Sequence, residues 1–153
     1  MKEVLLNQYN LVKSSRAVLM DYCNMIGPNL FIKEVDGFGR GGSIRSLMVH
    51  INNSYQYWTG THCLGRERIF NEYSNFTTLQ SCMTLYERTD ELVIEVINTF
   101  SDRMYEKISR DKFVASPFEV FSHVITHEYH HKGQILTISR LLGYTPVDTD
   151  ILR

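Results

Sequence analysis

Four of the chain's six histidines, His123, His127, His130 and His131, fall within residues 123–131. In the run Thr126-His127-Glu128-Tyr129-His130-His131-Lys132-Gly133-Gln134, His127 and His131 stand four residues apart. On a helix that spacing leaves the two side chains about 40° apart around the axis, one turn above the other. Two imidazoles so placed can reach one divalent metal ion from the same side, each through a neutral ring nitrogen at about 2.0–2.1 Å. With His127 taken as zero, Val120, Val124, Ile138, Leu141 and Leu142 fall within about 60°, and Gln134 at about −20°. The pair is therefore expected inside the apolar stripe, pointing into the core. His123 and His130 fall nearer the edge and are not expected to ligate. Buried imidazoles need partners for their ring nitrogens, and a shared ion supplies one to each.

A third inward ligand is available in His50, on a different predicted helix. Metal sites in helical bundles are assembled from inward side chains on facing helices. Three protein ligands and an open position make a reactive site rather than a closed structural one. The run His127-Glu128-Tyr129-His130-His131 also fits H-E-x-x-H, in which the glutamate is the base of a zinc peptidase. The downstream residues argue against that chemistry. No glutamate follows Glu128 to act as a third ligand, and the extended form of the motif would need glycine at Gln134 and histidine at Thr137. Glu128, about 100° from His127, is expected at the surface or between helices.

The elements that must carry these residues are helical. Leu5, Tyr9, Val12, Leu19, Cys23 and Ile26 step by threes and fours from Lys2 to Met25, interrupted by Arg16, and Gly27-Pro28 stops the helix. A loop from about Asn29 to Gly42 follows. Gly39-Arg40-Gly41-Gly42 lacks the preceding strand and the Gly-Lys-Ser/Thr ending of a phosphate loop, so it reads as a flexible connection. Ser43 caps a second helix to about Trp58, with Leu47, Ile51, Ser54 and Trp58 inward and His50 and Tyr57 on one flank. Gly60 and Gly65 end it. A polar stretch from about His62 to Phe76 leaves room for one short helical turn. Thr77-x-x-Gln80 reads as the capping box of a third helix from about Leu79 to Ile108, buried through Cys82 or Met83, Leu85, Tyr86, Leu92, Val93, Val96, Ile97, Phe100 and Met104. Ser116-Pro117-Phe118-Glu119 is a full start signal for a fourth, which Gly143 ends. Lys112-Phe113-Val114 is too short to be read as a strand. The expected fold is an all-α four-helix bundle, a single domain over residues 1–153.

Bulk properties exclude several function classes. The 153 residues carry a formal net charge of −1 and no lysine or arginine block, so no nucleic-acid footprint is present. No apolar run reaches the length of a membrane span or a leader peptide. The three cysteines, Cys23, Cys63 and Cys82, are odd in number and widely spaced. That usage points to a reducing compartment and a soluble cytoplasmic chain. The glycosylation patterns at Asn52 and Asn75 would then be coincidental.

With His50-Ile51-Asn52-Asn53-Ser54-Tyr55-Gln56-Tyr57-Trp58 on one helix and an H-x-x-x-H-x-Gly-Gln ending on another, the sequence resembles the DinB/YfiT-like superfamily over nearly its whole length. The resemblance implies an up-down-down-up four-helix bundle, commonly dimeric, whose divalent metal, zinc or nickel, is held by three histidines. Carried onto this chain, those ligands are His50, His127 and His131. It also implies a thiol S-transferase or thiol-dependent isomerase acting on a low-molecular-weight thiol such as bacillithiol, mycothiol or glutathione. The partners would be that thiol and an electrophile, with Tyr57 and Trp58 as candidates for an apolar wall and Gln134 for an outer contact to the metal site. Two competing readings are a non-catalytic metal-binding or stress-response bundle and a metal-dependent hydrolase.

Overall fold

The structure is a computed structural model and describes residues 1–38 and 41–153. Helix α1 spans Lys2–Asn24, a short α2 spans Pro28–Phe31, and α3 spans Ile44–Tyr55. A π-helical segment, Gln56–Cys63, continues α3 directly. Helix α4 runs over Leu79–Thr99 and α5 over Pro117–Leu141, with strands β1 (Ile108–Arg110) and β2 (Phe113–Ala115) between them. Among the described residues no helix is long and apolar enough to cross a membrane.

Side-chain partners give the direction of each helix. Tyr9 meets Phe121, Arg16 meets Glu128 and Tyr22 meets Ser139, so α1 and α5 run parallel. Tyr55 meets Glu128 and Trp58 meets His123, so α3 runs against α5. Asn52 bonds to Thr89, and a Cβ built on Gly60 would stand 3.6 Å from Leu92 Cδ1, which sets α4 parallel to α3. The result is the four-helix bundle expected from the helical pattern, in the up-down-down-up order that the resemblance implied.

The caps follow the sequence closely at α3 and α5. Ser43 and Ser46 form a reciprocal capping box, as do Ser116 and Glu119, where Pro117 opens the helix. At α4 the cap is one residue later than expected, Thr78 with Ser81 rather than Thr77 with Gln80.

Helix α4 also stops at Thr99, well short of Ile108. Phe100 and Met104 are nevertheless buried, because the chain folds back and Phe118 N donates to Met104 O at 2.9 Å. The helical period in the sequence therefore ran on through a reversing turn whose apolar side chains serve the same core. Beyond it lies a two-residue hairpin, β1 against β2, with Asp111 in the left-handed region at φ 53°. The segment Lys112-Phe113-Val114, too short to read as a strand, forms most of its second strand.

The loop before α3 also departs from expectation. Gly39 and Arg40 lie outside the described residues, but Gly41 and Gly42 are buried rather than loose. A Cβ on Gly42 would stand 2.5 Å from the Val35 carbonyl oxygen, and Gly41 adopts φ +72°. Glycine is required there by close approach and by backbone conformation. Gly60 does not end the second helix; it lies within the π-helical segment, and Gly65 (φ +71°) ends it. His62, assigned to a polar stretch, is 1% exposed in that segment. The short turn expected downstream is a single 3-10 turn, Tyr73–Asn75. Asn52 is fully buried and bonded to Thr89, which removes one of the two glycosylation patterns from consideration.

Candidate metal centre

The buried positions of α5 include Val120, Val124, Glu128, Lys132, Ile135 and Ile138. Their face is centred near Glu128, about 100° round the axis from His127. His127 and His131 therefore flank the buried stripe instead of lying within it, and both are half-buried. Leu141, expected inward, is 61% exposed. His50 is likewise more open than expected and lies on the exposed side of α3. Facing edges of α3 and α5 thus bring three imidazoles together at the rim of the bundle.

Their geometry is close. The ring centroids of His50 lie 5.0 Å from His127 and 4.6 Å from His131, and those of His127 and His131 are 4.4 Å apart. All three candidate ligand atoms lie within 4.8 Å of one another. The two Nε2 atoms of His127 and His131 are 3.1 Å apart. Two nitrogens each about 2.0–2.1 Å from one ion, at tetrahedral or octahedral angles, would be separated by about 2.9–3.4 Å. The observed spacing fits.

The hydrogen bonds fit as well. His131 Nδ1 lies 2.6 Å from Gln134 Oε1, which accepts its proton and leaves Nε2 with a lone pair. That lone pair faces His127 Nε2, while His127 Nδ1 is buried without a partner. Were His127 to donate from Nε2, its Nδ1 would be an orphaned buried acceptor. Were it protonated at Nδ1, two lone pairs would face each other at 3.1 Å. A cation between the two Nε2 atoms removes the clash of lone pairs in the second tautomer and leaves the Nδ1 proton of His127 as the one group without a partner among the described residues.

Protonation is biased the same way. Burial first, then the neighbouring imidazoles of His131, His50, His123 and His130, push His127 down to about 3. Desolvation among the crowded rings lowers His50 and His123. At His131 desolvation outweighs the Gln134 hydrogen bond, which acts in the opposite direction. Neutral imidazole is the ligating form.

Glu128, inside the H-E-x-x-H pattern, is fully committed elsewhere. It is 4% exposed and accepts from Arg16 Nε at 2.7 Å, Arg16 Nη2 at 2.9 Å and the Tyr55 hydroxyl at 2.6 Å. Arg16, the interruption in the α1 stripe, donates onward from Nη1 to Asp90 on α4 at 2.6 Å. The bundle's four long helices meet at this buried pair, and Glu128 is an inter-helix anchor with no free oxygen for base chemistry.

Beside His50 and His131 opens a cavity of about 580 Å³, within the range of small-molecule sites. Its aromatic wall is Phe38, Phe70 and Tyr73. Tyr57 and Trp58 are elsewhere: they pack on each other and on Phe113, and Trp58 faces His62 and His123. His123 lies tilted against His127, and His130 meets His131 edge to face, but both fall outside the cluster of ligand atoms. The signal for the true wall was faint, consisting of Phe70 and Tyr73 within a polar stretch. Lys132 was missed altogether. It is buried, with its ammonium 3.8 Å from the Tyr129 ring centroid, and it donates to Ser15 Oγ at 2.5 Å and Thr149 O at 2.6 Å, which ties the C-terminal segment to α1.

Among known proteins, the uncharacterized protein YizA of Bacillus subtilis (strain 168) is 28% identical over 97 residues, 58% of this chain and 58% of that protein. The match thus spans little more than half of that relative's length. The family model described as DinB family matches residues 1–153. By its fold, its histidine cluster and that match, this chain belongs to the DinB family.

Proposed function

We propose that the protein is a divalent-metal-dependent thiol S-transferase, with zinc or nickel held by His50, His127 and His131. The observation that carries this reading is the convergence of three imidazoles from α3 and α5 on the edge of a ligand-sized cavity. A divalent ion with an open position stabilises a bound thiolate well below the free thiol's pKa of about 8.5. Gln134 orients His131, and the buried Tyr55–Glu128–Arg16 anchor sets α3 against α5. The cavity would hold the electrophile beside the sulfur and shield it from water. None of the chain's own thiols suits the nucleophile's role. Cys23, Cys63 and Cys82 are all buried, and burial pushes each up to about 12. The thiol must come from outside. The reading also takes the protein as a cytoplasmic homodimer, in keeping with its unpaired cysteines and its family.

Metal analysis of protein purified without a histidine tag tests the first half. About one equivalent per chain, lost in His131→Ala, is expected. Conjugation of low-molecular-weight thiols to a panel of electrophiles tests the second. Bound metal without conjugation would favour a non-catalytic bundle, and ester or amide turnover without added thiol would favour a hydrolase.

A further inference from the structure

The polar groups lining the cavity are almost all committed to one another. Ser46 Oγ accepts from Ser43 N and donates to Ser43 O, both at 2.9 Å. Asn53 Nδ2 donates to Asn71 O at 2.8 Å, while Asn53 Oδ1 accepts from Asn71 N at 2.9 Å and Asn71 Nδ2 at 3.1 Å. Gln134 Oε1 is taken by His131. Glu72 is different. Among the described residues it is the cavity's one carboxylate, no lysine or arginine shares the lining, and the chain's ion pairs join other residues.

The aromatic side chains next to Glu72 complete the pattern. Phe70 is 62% exposed and outside the core, although its neighbour Asn71 is fixed to α3 three residues beyond His50. Such a ring lines the cavity while most of its surface stays open. Arg45 stacks over Tyr73 at 5.2 Å and so occupies one of its faces, while Phe38 and Phe70 carry no such cation among the described residues. Aromatic faces and a carboxylate both attract positive charge. In the lining itself, among the described residues, an anionic ligand would meet the Glu72 carboxylate and no lysine or arginine to offset the repulsion.

We propose that the cavity binds a small organic ammonium, held between the Glu72 carboxylate and the faces of Phe38 and Phe70, with its other end toward His50 and His131. Combined with the metal chemistry above, and resting on it, this makes the external thiol an aminothiol.

Calorimetric titration of the full chain with two sulfur-free probes of similar shape, benzylammonium and phenylacetate, tests the site independently of the metal. Benzylammonium is expected to bind at least about tenfold more tightly. Glu72→Gln should remove that preference, and Phe70→Ala should weaken binding. Equal affinities, no binding of benzylammonium, or indifference to Glu72→Gln would overturn the proposal. So would a preference for phenylacetate. In cobalt-substituted protein, cysteamine should perturb the metal spectrum at lower concentration than mercaptoacetate. If benzylammonium binds as stated and no thiol perturbs the metal, the transferase reading fails and the ammonium site stands. If both thiols perturb it equally, the ammonium site fails and the transferase reading stands.

Discussion

The Tyr55 hydroxyl donates to Glu128 Oε2 at 2.6 Å, and this one bond joins the helix that carries His50 to the helix that carries His127 and His131. Both residues are buried, at 0% and 4% exposure, so the bond forms where water cannot replace it.

Tyr55→Phe keeps the ring packing and removes the bond. A hydrogen bond to a charged group contributes about 1.5–3 kcal/mol, and calorimetry should show a loss of that order. Metal affinity should fall with it, because α3 and α5 are no longer pinned beside the site. Glu128→Ala strands the Arg16 guanidinium in the core and should cost about 3–5 kcal/mol. Unchanged metal affinity in Tyr55→Phe would show that the anchor is purely structural.

The imidazoles predict a pH dependence of the metal-free protein. His127 titrates at about 3 when folded and near 6.5 when unfolded. Between those values the unfolded chain binds the extra proton, so stability rises with pH there. The contribution is complete above about 6.5 and is lost as pH falls toward 3. His50, His123 and His131 are lowered too and act in the same sense. Melting temperature should therefore decline as pH drops below about 6.5, with a shallower decline in His127→Asn. A melting temperature flat from pH 7 to pH 4 would contradict the burial inferred for these rings.

Gln134 is a positioning residue: it touches His131 and lies one turn beyond it. Outer contacts of this kind are worth about 10–100-fold in metal affinity. Gln134→Ala should weaken zinc binding by that factor with little change in the melting temperature without metal. Gln134→Glu keeps an acceptor for His131 Nδ1 and should restore most of the affinity. A parallel loss of both quantities would place Gln134 in the fold rather than in the site.

Gly42→Ala should destabilise more than an exposed loop substitution, because its Cβ would stand 2.5 Å from the Val35 carbonyl oxygen. A backbone shift there would move Phe38 and the cavity wall, so ligand binding at the cavity should weaken together with stability. A neutral result in a urea titration would show that the loop is as loose as its glycine content implied.

Local patterns in the sequence carried most of the helical layout. Ser43 and Ser116 capped where polarity and spacing placed them, and the apolar steps of α1 and α4 matched the buried residues almost one for one. Those signals are local, because capping and amphipathic period depend on neighbours within a turn or two. The i, i+4 pairing of His127 and His131 is legible for the same reason.

What only the tertiary structure decided was how each helix is rolled about its axis and what lies across from it. The buried face of α5 is centred near Glu128, because Arg16 and Tyr55 offer that carboxylate three hydrogen bonds from other helices. No local period reports a partner 112 or 73 residues away. That roll carries His127 and His131 to the rim, where His50 meets them. The cavity wall of Phe38, Phe70 and Tyr73, and the reversal that ends α4 at Thr99, depend in the same way on contacts between segments distant in the chain. The histidine pair was written in the spacing of one helix; the site it belongs to was made by the packing of two helices and a loop.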